Sequence, residues 1–254
     1  MICLIKTALT IAASDSISGA GIQADLRVFR DLGVYGVCAV TNVTSQSTKG
    51  VDKIFKVPPT VIASQIDNAA RDLEIGACKI GMLFFRRAVE TVADRIKRRN
   101  LKNIVLDTPL RAKNGERLTS EKALKRVCRV ILPLCDLVTP NLEEIVALTG
   151  KESAEDAAKA LMDTGCKAVL VKGGHRDGDP VDYLFEADGV TEYPGRRIAK
   201  NMHGTGCALS AAAAAGLAKG YDLKTAVGEA KTYVAGLIEK SEAIGKGSMH
   251  LMMP

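Results

Sequence analysis

The chain has no tryptophan, and its five tyrosines and five phenylalanines make up only 4% of 254 residues. So few rings make a poor base-stacking surface, which argues against nucleic acid as a partner. No apolar run approaches the roughly 20 residues that a membrane helix needs. The seven cysteines (3, 38, 78, 128, 135, 166 and 207) are odd in number and include no C-x-x-C pair, which excludes a disulfide framework or a structural zinc site. Most of them sit in apolar stretches as small core residues, and the expected compartment is the reducing cytosol. Lys6 interrupts the apolar start, so no signal peptide is expected, and Thr7 to Ala13 reads as a buried strand. Long Pro/Ser/Gly-rich linkers and internal repeats are also missing. Lys+Arg 35 minus Asp+Glu 29 gives +6, a mild excess that suits anionic small molecules. What remains is 47% apolar and 25% charged, an ordinary globular composition on a chain long enough to bury a sizeable core.

The pattern alternates short apolar runs with longer amphipathic ones. Ala8–Ala13, Val37–Val43, Ala77–Ile80, Asn103–Leu106, Asp136–Val138 and Ala168–Val171 read as strands, each flanked by Gly, Pro, Asn or Asp. Helices are predicted over Arg86–Arg99, Ser120–Leu132 and, from a Ser153/Asp156 capping pair, to Asp163, with Gly165 as its stop. Strands apolar throughout, separated by helices, imply a parallel sheet covered on both faces. Val181–Glu186 and Val190–Tyr193 read as a hairpin through Asp188-Gly189. An Ala-rich helix to Lys219, apolar on nearly every face, should be central, and Leu223–Ser241 reads as the last helix. The expectation is one α/β sandwich over 1–254 with a small antiparallel addition. The tail Gly245–Pro254 carries no reading.

Four segments could carry chemistry. In His203-Gly204-Thr205-Gly206-Cys207, two glycines bracket the start of the Ala-rich helix. Free N–H groups of a first turn, with the helix dipole, favour an anion. Cys207 on that turn should have a lowered pKa and could act as base or nucleophile. The competing reading is a tightly packed helix start with Cys207 as filler. The loop after the first strand, Ser14 to Gly21, lies where ligands collect in doubly wound sheets, although it is neither G-x-G-x-x-G nor a Walker A loop. An ordinary βα turn is equally open there. Asp107, Asn141 and Glu144 follow neighbouring strands, and two carboxylates so placed can hold Mg2+ through water. Each acid alone could equally be a helix cap or a solvated side chain. Lys172-Gly173-Gly174-His175 ends another strand with a cation suited to phosphate, while His175 reads as a hydrogen-bonded structural residue. The basic runs Lys97–Arg99 and Lys122–Arg129 read as solvated helix faces. Together the strand ends suit phosphoryl transfer, where catalysis is mainly positioning and charge stabilisation.

In combination, Ala12-Ala-Ser-Asp-Ser16, Gly19-Ala-Gly-Ile-Gln-Ala-Asp-Leu26, Gly33-Val-Tyr-Gly36, Gln46-Ser-Thr48, Lys79-Ile-Gly-Met-Leu83, Leu106-Asp-Thr108, Thr139-Pro-Asn-Leu142, Lys172-Gly-Gly-His175 and His203-Gly-Thr-Gly-Cys207 resemble the ribokinase-like superfamily. Within it they resemble the hydroxymethylpyrimidine/phosphomethylpyrimidine kinases of thiamine biosynthesis, over nearly the whole chain. The resemblance implies a three-layer α/β/α sandwich with a mostly parallel central sheet, dependence on ATP and Mg2+, and a homodimer. The implied reaction is phosphorylation of 4-amino-5-hydroxymethyl-2-methylpyrimidine, its monophosphate, or both.

By position, the resemblance makes Gln46 the reader of the pyrimidine amine, which suits an amide that both donates and accepts. Asp25, Ala20, Met82, Thr44 and Ala13 would line that pocket. Gly204, Thr205, Gly206 and Lys172 would hold the transferred phosphate, and Cys207 sits where sugar-kinase relatives carry an aspartate base. Asn141 and Glu144 match an N-x-x-E motif for Mg2+ and phosphate, Asp107 a second metal-side acid, and Lys172 and Thr205 nucleotide-phosphate contacts. The chain departs from the family pattern at Ala13, Ser16-Ile17-Ser18, Asn42, Thr44, Ser45 and Pro109-Leu110. Those departures touch the pyrimidine pocket more than the transfer machinery. Two rival expectations are a pyridoxal kinase, against which Gln46 argues, and a non-catalytic pyrimidine- or nucleotide-binding protein, against which the joint presence of Cys207, Lys172, Asp107 and Glu144 argues.

Overall fold

The computed structural model describes residues 5–112, 114–173, 179–198, 200, 202–247 and 250–251. In chain order the elements are β1 (Thr7–Asp15), α1 (Gly21–Asp31), β2 (Tyr35–Ser47), β3 (Gly50–Lys56), α2 (Pro59–Asp72), β4 (Ala77–Ile80), α3 (Arg86–Arg98), β5 (Ile104–Leu106), α4 (Glu121–Val130), β6 (Leu137–Val138), α5 (Leu142–Thr149) and α6 (Ala154–Met162). Then come β7 (Val169–Val171), β8 (Val181–Glu186), β9 (Gly189–Pro194), β10 (Met202–His203), α7 (Thr205–Ala218), α8 (Leu223–Lys240), β11 (Glu242–Ala243) and β12 (His250–Leu251).

The main sheet runs β3-β2-β1-β4-β5-β6-β7-β8-β9. From β2 to β7 all neighbours are parallel. β3 on one edge and the β8–β9 hairpin on the other are antiparallel. Side chains alternate across the sheet, as a strand period of two requires. Leu9, Ile11, Cys78, Ile80, Ile104 and Leu106 face a core completed by α2, α3, α4, α5 and α6. Ala8, Ala77, Val105, Leu137 and Leu170 face a second core closed by α1, α7 and α8. Small alanines on the second face let α7 lie close to the sheet. Every residue of α7 from Ala208 to Ala218 is buried, so this helix is central, as its lack of a polar face demands. Among the described residues no helix is long and apolar enough to cross a membrane.

The strand order reverses at β1: the chain leaves it for β2 and β3 on one side, then returns to β4 on the other. The crevice at the carboxyl ends of β1 and β4 is therefore the expected ligand site. The β1–β2 register slips there between Ala12 and Ser14, with the extra residue on β2 between Val40 and Val43. A second, three-stranded sheet, β10-β12-β11, lies beside this crevice and carries His203.

Candidate active site

A cavity of about 330 Å³ opens at these strand ends. One end of it is a corner of charge and bare backbone. Gly204 is the N-cap of α7 and has φ 83°, and a Cβ there would lie 1.9 Å from the Gly19 carbonyl oxygen, so only glycine fits. No side chain caps the helix, and the N–H groups of Thr205, Gly206 and Cys207 lack intrahelical acceptors. At Gly206 the missing side chain leaves room beside Lys172: a Cβ would sit 3.2 Å from Lys172 Nζ and 3.5 Å from Asp107 Oδ1. An oxyanion placed there meets backbone donors, a helix N-terminus and an ammonium together.

Lys172, just past β7, lies 3.5 Å from Asp107 Oδ1 and 3.6 Å from Glu144 Oε2. Burial opposes its charge, but Glu144 and Asp107 outweigh burial and raise its pKa above the usual lysine range. Burial also raises the Glu144 carboxyl, against the pull of Lys172 and with a further push from Asp107. Asn141 and Glu144 form a reciprocal capping box on α5: Glu144 N–H donates to Asn141 Oδ1 at 2.8 Å and Asn141 N–H to Glu144 Oε2 at 2.8 Å. The helix-cap reading of these residues is what the geometry shows, and both residues also line the cavity.

At the cavity floor, Lys79 at the end of β4 is buried against Asp25 of α1 beneath it, with Nζ 2.9 and 2.8 Å from the two carboxylate oxygens. Thr10 Oγ1 donates to Asp25 Oδ2 at 2.6 Å. Burial alone would discharge Lys79, but Asp25, Cys207 and Asp107 hold it charged, above the usual lysine range. Burial raises the Asp25 carboxyl against the pull of Lys79 and Thr10. Two contacts to an ammonium and one to a hydroxyl satisfy Asp25 as a carboxylate, and the pair is ionised.

The far wall carries Gln46 at the end of β2. Its Nε2 lies 3.0 Å from His203 Nε2, and its Oε1 lies 3.4 Å from Thr44 Oγ1. His203 Nε2 is also 3.1 Å from Asp15 Oδ2. Ala13, Ala20 and Met82 complete this apolar-lined end, and Val51, Pro109 and Leu118 lie at its outer side.

The model of the phosphomethylpyrimidine kinase family matches residues 15–252. The chain belongs to that family. It is 42% identical over 255 residues to a hydroxymethylpyrimidine/phosphomethylpyrimidine kinase of Rhizobium meliloti, covering 96% of each chain. Among solved structures, an ADP complex of a Bacillus subtilis pyridoxal kinase superposes with a TM-score of 0.90 at 30% identity, covering 98% of this chain and 97% of that one. A phosphomethylpyrimidine kinase from Clostridium difficile 630 gives 0.81 at 34% identity, covering 91% of this chain and 99% of that one.

The kinase's cavity wall gathers Cys207, Gly204, Thr205, Gly206, Lys172, Gln46, Ala20, Thr44, Met82, Ala13, Asn141, Glu144 and Asp107. Asp25 is a correction: it does not line the cavity but lies under it, fully buried in its pair with Lys79. Cys207 is a second correction. Although part of the residue reaches the cavity wall, burial pushes its thiol up to about 12; Lys79 and the Gly21 N–H pull the other way, while Asp107 and Asp25 add to the rise. Dehydration beside carboxylates outweighs the helix end that was expected to lower it. The thiol donates to Asp107 Oδ2 at 3.5 Å. Of the departures, Ala13, Thr44 and Pro109 reach the cavity, whereas Asn42 and Ser45 do not: Asn42 is buried and donates to the Phe55 carbonyl, and Ser45 is exposed. Gly174 and His175 lie outside the described residues.

Lys79, Asp15 and His203 stand inside the quoted motifs but had no role assigned from sequence. A lysine closing the apolar run Ala77–Ile80 was the available signal for the first. Nothing in the local pattern marked Asp15 and His203 as partners, because 188 positions separate them.

Proposed function

We propose that this kinase transfers the γ-phosphoryl group of ATP to the hydroxymethyl group of 4-amino-5-hydroxymethyl-2-methylpyrimidine, and to the phosphate of the resulting monophosphate. The observation that carries the reading is the bare first turn of α7 with Lys172 Nζ beside it, facing a wall that bears Gln46. The donors of residues 205–207 and Lys172 hold the migrating group where its charge develops. Gln46 reads the amino edge of the ring, and Ala13, Ala20 and Met82 cover its faces. Cys207, as a proton-bearing thiol, orients the acceptor hydroxyl through a sulfur lone pair. The hydroxyl keeps its own proton until the new O–P bond is well formed, which a loose transition state permits, and then releases it to water. Asp107 and Glu144 supply hard oxygen donors near the phosphate corner, a set that fits Mg2+ held largely through water. Mg2+ held there would supply positive charge against the phosphates.

The Bacillus subtilis neighbour supports pyridoxal as a second acceptor to test. We also read the enzyme as a homodimer of the reducing cytosol. The six free cysteines among the described residues support that compartment. Exposed Tyr35 on β2 and Phe55 on β3, at one edge of the sheet, support self-association, which light scattering tests.

Mass spectrometry of products from ATP, Mg2+ and a panel of the pyrimidine, its monophosphate and pyridoxal tests the function. Phosphorylated pyrimidine is the expected product. Pyridoxal phosphate alone would replace the substrate reading, and ligand binding without turnover would remove the kinase reading.

A further inference from the structure

We propose that Asp15 and His203 fix which way round the Gln46 amide points, and that this polarity makes the site prefer an amino-bearing ring edge to a keto-bearing one. The inference rests on the pyrimidine reading above and names the residues that decide its selectivity.

Asp15 is held rigidly: its Oδ1 accepts the Ile17 N–H at 3.0 Å and its Oδ2 the Ala20 N–H at 2.8 Å, with the side chain only 5% exposed. A carboxylate only accepts. His203 Nε2, 3.1 Å from Asp15 Oδ2, therefore carries a hydrogen. The same nitrogen lies 3.0 Å from one end of the Gln46 amide, and with its hydrogen on Asp15 it has no lone pair to offer an amide N–H, so oxygen is the compatible end there. At the other end, Thr44 Oγ1 gives its proton to the Ser14 carbonyl at 3.0 Å, nearer than the amide at 3.4 Å. Its hydroxyl then has only lone pairs left for Gln46, which calls for the NH2 group. The two ends of an amide are isosteric, and the hydrogen-bond network selects between them. Both ends select the same orientation, oxygen toward His203 and nitrogen toward Thr44, which exchanges the two amide atoms relative to the placement described above. The opposite orientation sets His203 and Asp15 lone pairs against each other, or two N–H groups.

One amide N–H and one carbonyl lone pair remain for a ligand. A 4-aminopyrimidine edge presents a donor amine beside an acceptor ring nitrogen. A 4-oxo edge presents the reverse, an acceptor oxygen beside a donor ring N–H. A free glutamine reads either by a half-turn about its soft terminal torsion. A locked glutamine reads one.

The test uses the full chain without nucleotide. Calorimetry measures binding of 4-amino-5-hydroxymethyl-2-methylpyrimidine and its 4-oxo analogue to the wild type, His203→Phe and His203→Gln. The wild type should favour the amine by about 10- to 100-fold, the worth of one well-placed polar contact. His203→Phe should cut that preference at least about tenfold, and His203→Gln, which can still offer an N–H, should restore part of it. NMR of the ring nitrogens should find His203 Nε2 protonated in the ligand-free protein. A preference unchanged in His203→Phe while both affinities fall together is the mark of a merely structural role and overturns the inference, as does a bare Nε2. A wild type that binds neither ring overturns the pyrimidine reading and this preference together. Pyrimidine binding with an unmoved preference overturns the inference alone.

Discussion

Replacing Lys79 with methionine should be among the most damaging single changes in this protein. Both members of the Asp25–Lys79 pair have side chains with 0% exposure, and the contact runs to both carboxylate oxygens. Removing the ammonium leaves a buried carboxyl that still accepts from Thr10 Oγ1. Breaking a buried pair from one side costs about 3–5 kcal/mol. At about 2–4 °C per kcal/mol for a domain of this size, the melting temperature should fall by roughly 6–20 °C. The loss should depend on pH. Without Lys79, burial raises the folded-state pKa of Asp25 above its unfolded value near 4. The penalty is then absent below the unfolded value and complete above the folded one, so Lys79→Met should approach wild-type stability in acid. Removing all three polar groups (Thr10→Val, Asp25→Leu and Lys79→Met together) should recover most of the loss, because no buried charge or hydroxyl is left unpaired. Urea denaturation of the single and triple variants at neutral and acid pH checks this. A single-variant loss under about 1 kcal/mol, or a triple variant no better than the single, would refute the buried-pair reasoning.

Gly204→Ala should abolish turnover and destabilise the fold by about 1–3 kcal/mol, since φ 83° and the Gly19 carbonyl leave no place for a methyl group; thermal melting and a coupled ATP assay read both. Gly206→Ala should fold, because the atoms nearest its methyl are Lys172 Nζ and the Asp107 oxygens at 3.2–3.7 Å, yet lower kcat about 100-fold by displacing the phosphate. With its thiol pushed up to about 12, Cys207 should alkylate with iodoacetamide at pH 7.5 roughly a thousandfold more slowly than a free thiol, and kcat should show no inflection from it between pH 6 and 9. Asp67 of α2 is held below the usual carboxylate range chiefly by its hydrogen bond from Arg99, with Arg95 adding. A depressed acid stabilises above its unfolded pKa and stops doing so as pH falls through the folded one. Wild type should therefore exceed Asp67→Asn by about 1 kcal/mol at pH 7 and lose that margin below about pH 4, as denaturation at the two pH values will show.

Much of the sheet could be read from the chain. Ala77–Ile80 is β4 as expected, and β5, β6 and β7 lie within their expected runs, because strands buried on both faces are apolar throughout. The hairpin appears at Val181–Glu186 and Gly189–Pro194. β1 and β2 run longer than expected, since their ends carry polar residues such as Asp15 and Gln46 that serve the cavity. β3 and α2 had not been assigned: Gly50–Lys56 has exposed Asp52, Lys53 and Phe55, so its edge position blurs the pattern. In the site, backbone features such as the glycines at 204 and 206 were readable because their chemistry is local. The protonation of Cys207 and the burial of Asp25 were not, because both depend on neighbours brought together from distant strands.

The small sheet beside the crevice has a bearing on biosynthesis. β12 at His250–Leu251 pairs with Met202–His203, roughly fifty residues upstream, and the Gly247 N–H donates to Thr48 beside Gln46. The wall that carries Gln46 and His203 is thus braced by a segment translated after α8. A nascent chain stalled before that segment emerges can already own its sandwich, yet its recognition wall stands without a buttress. Competence for catalysis should therefore switch on late in translation, separated in time from the burial of the core.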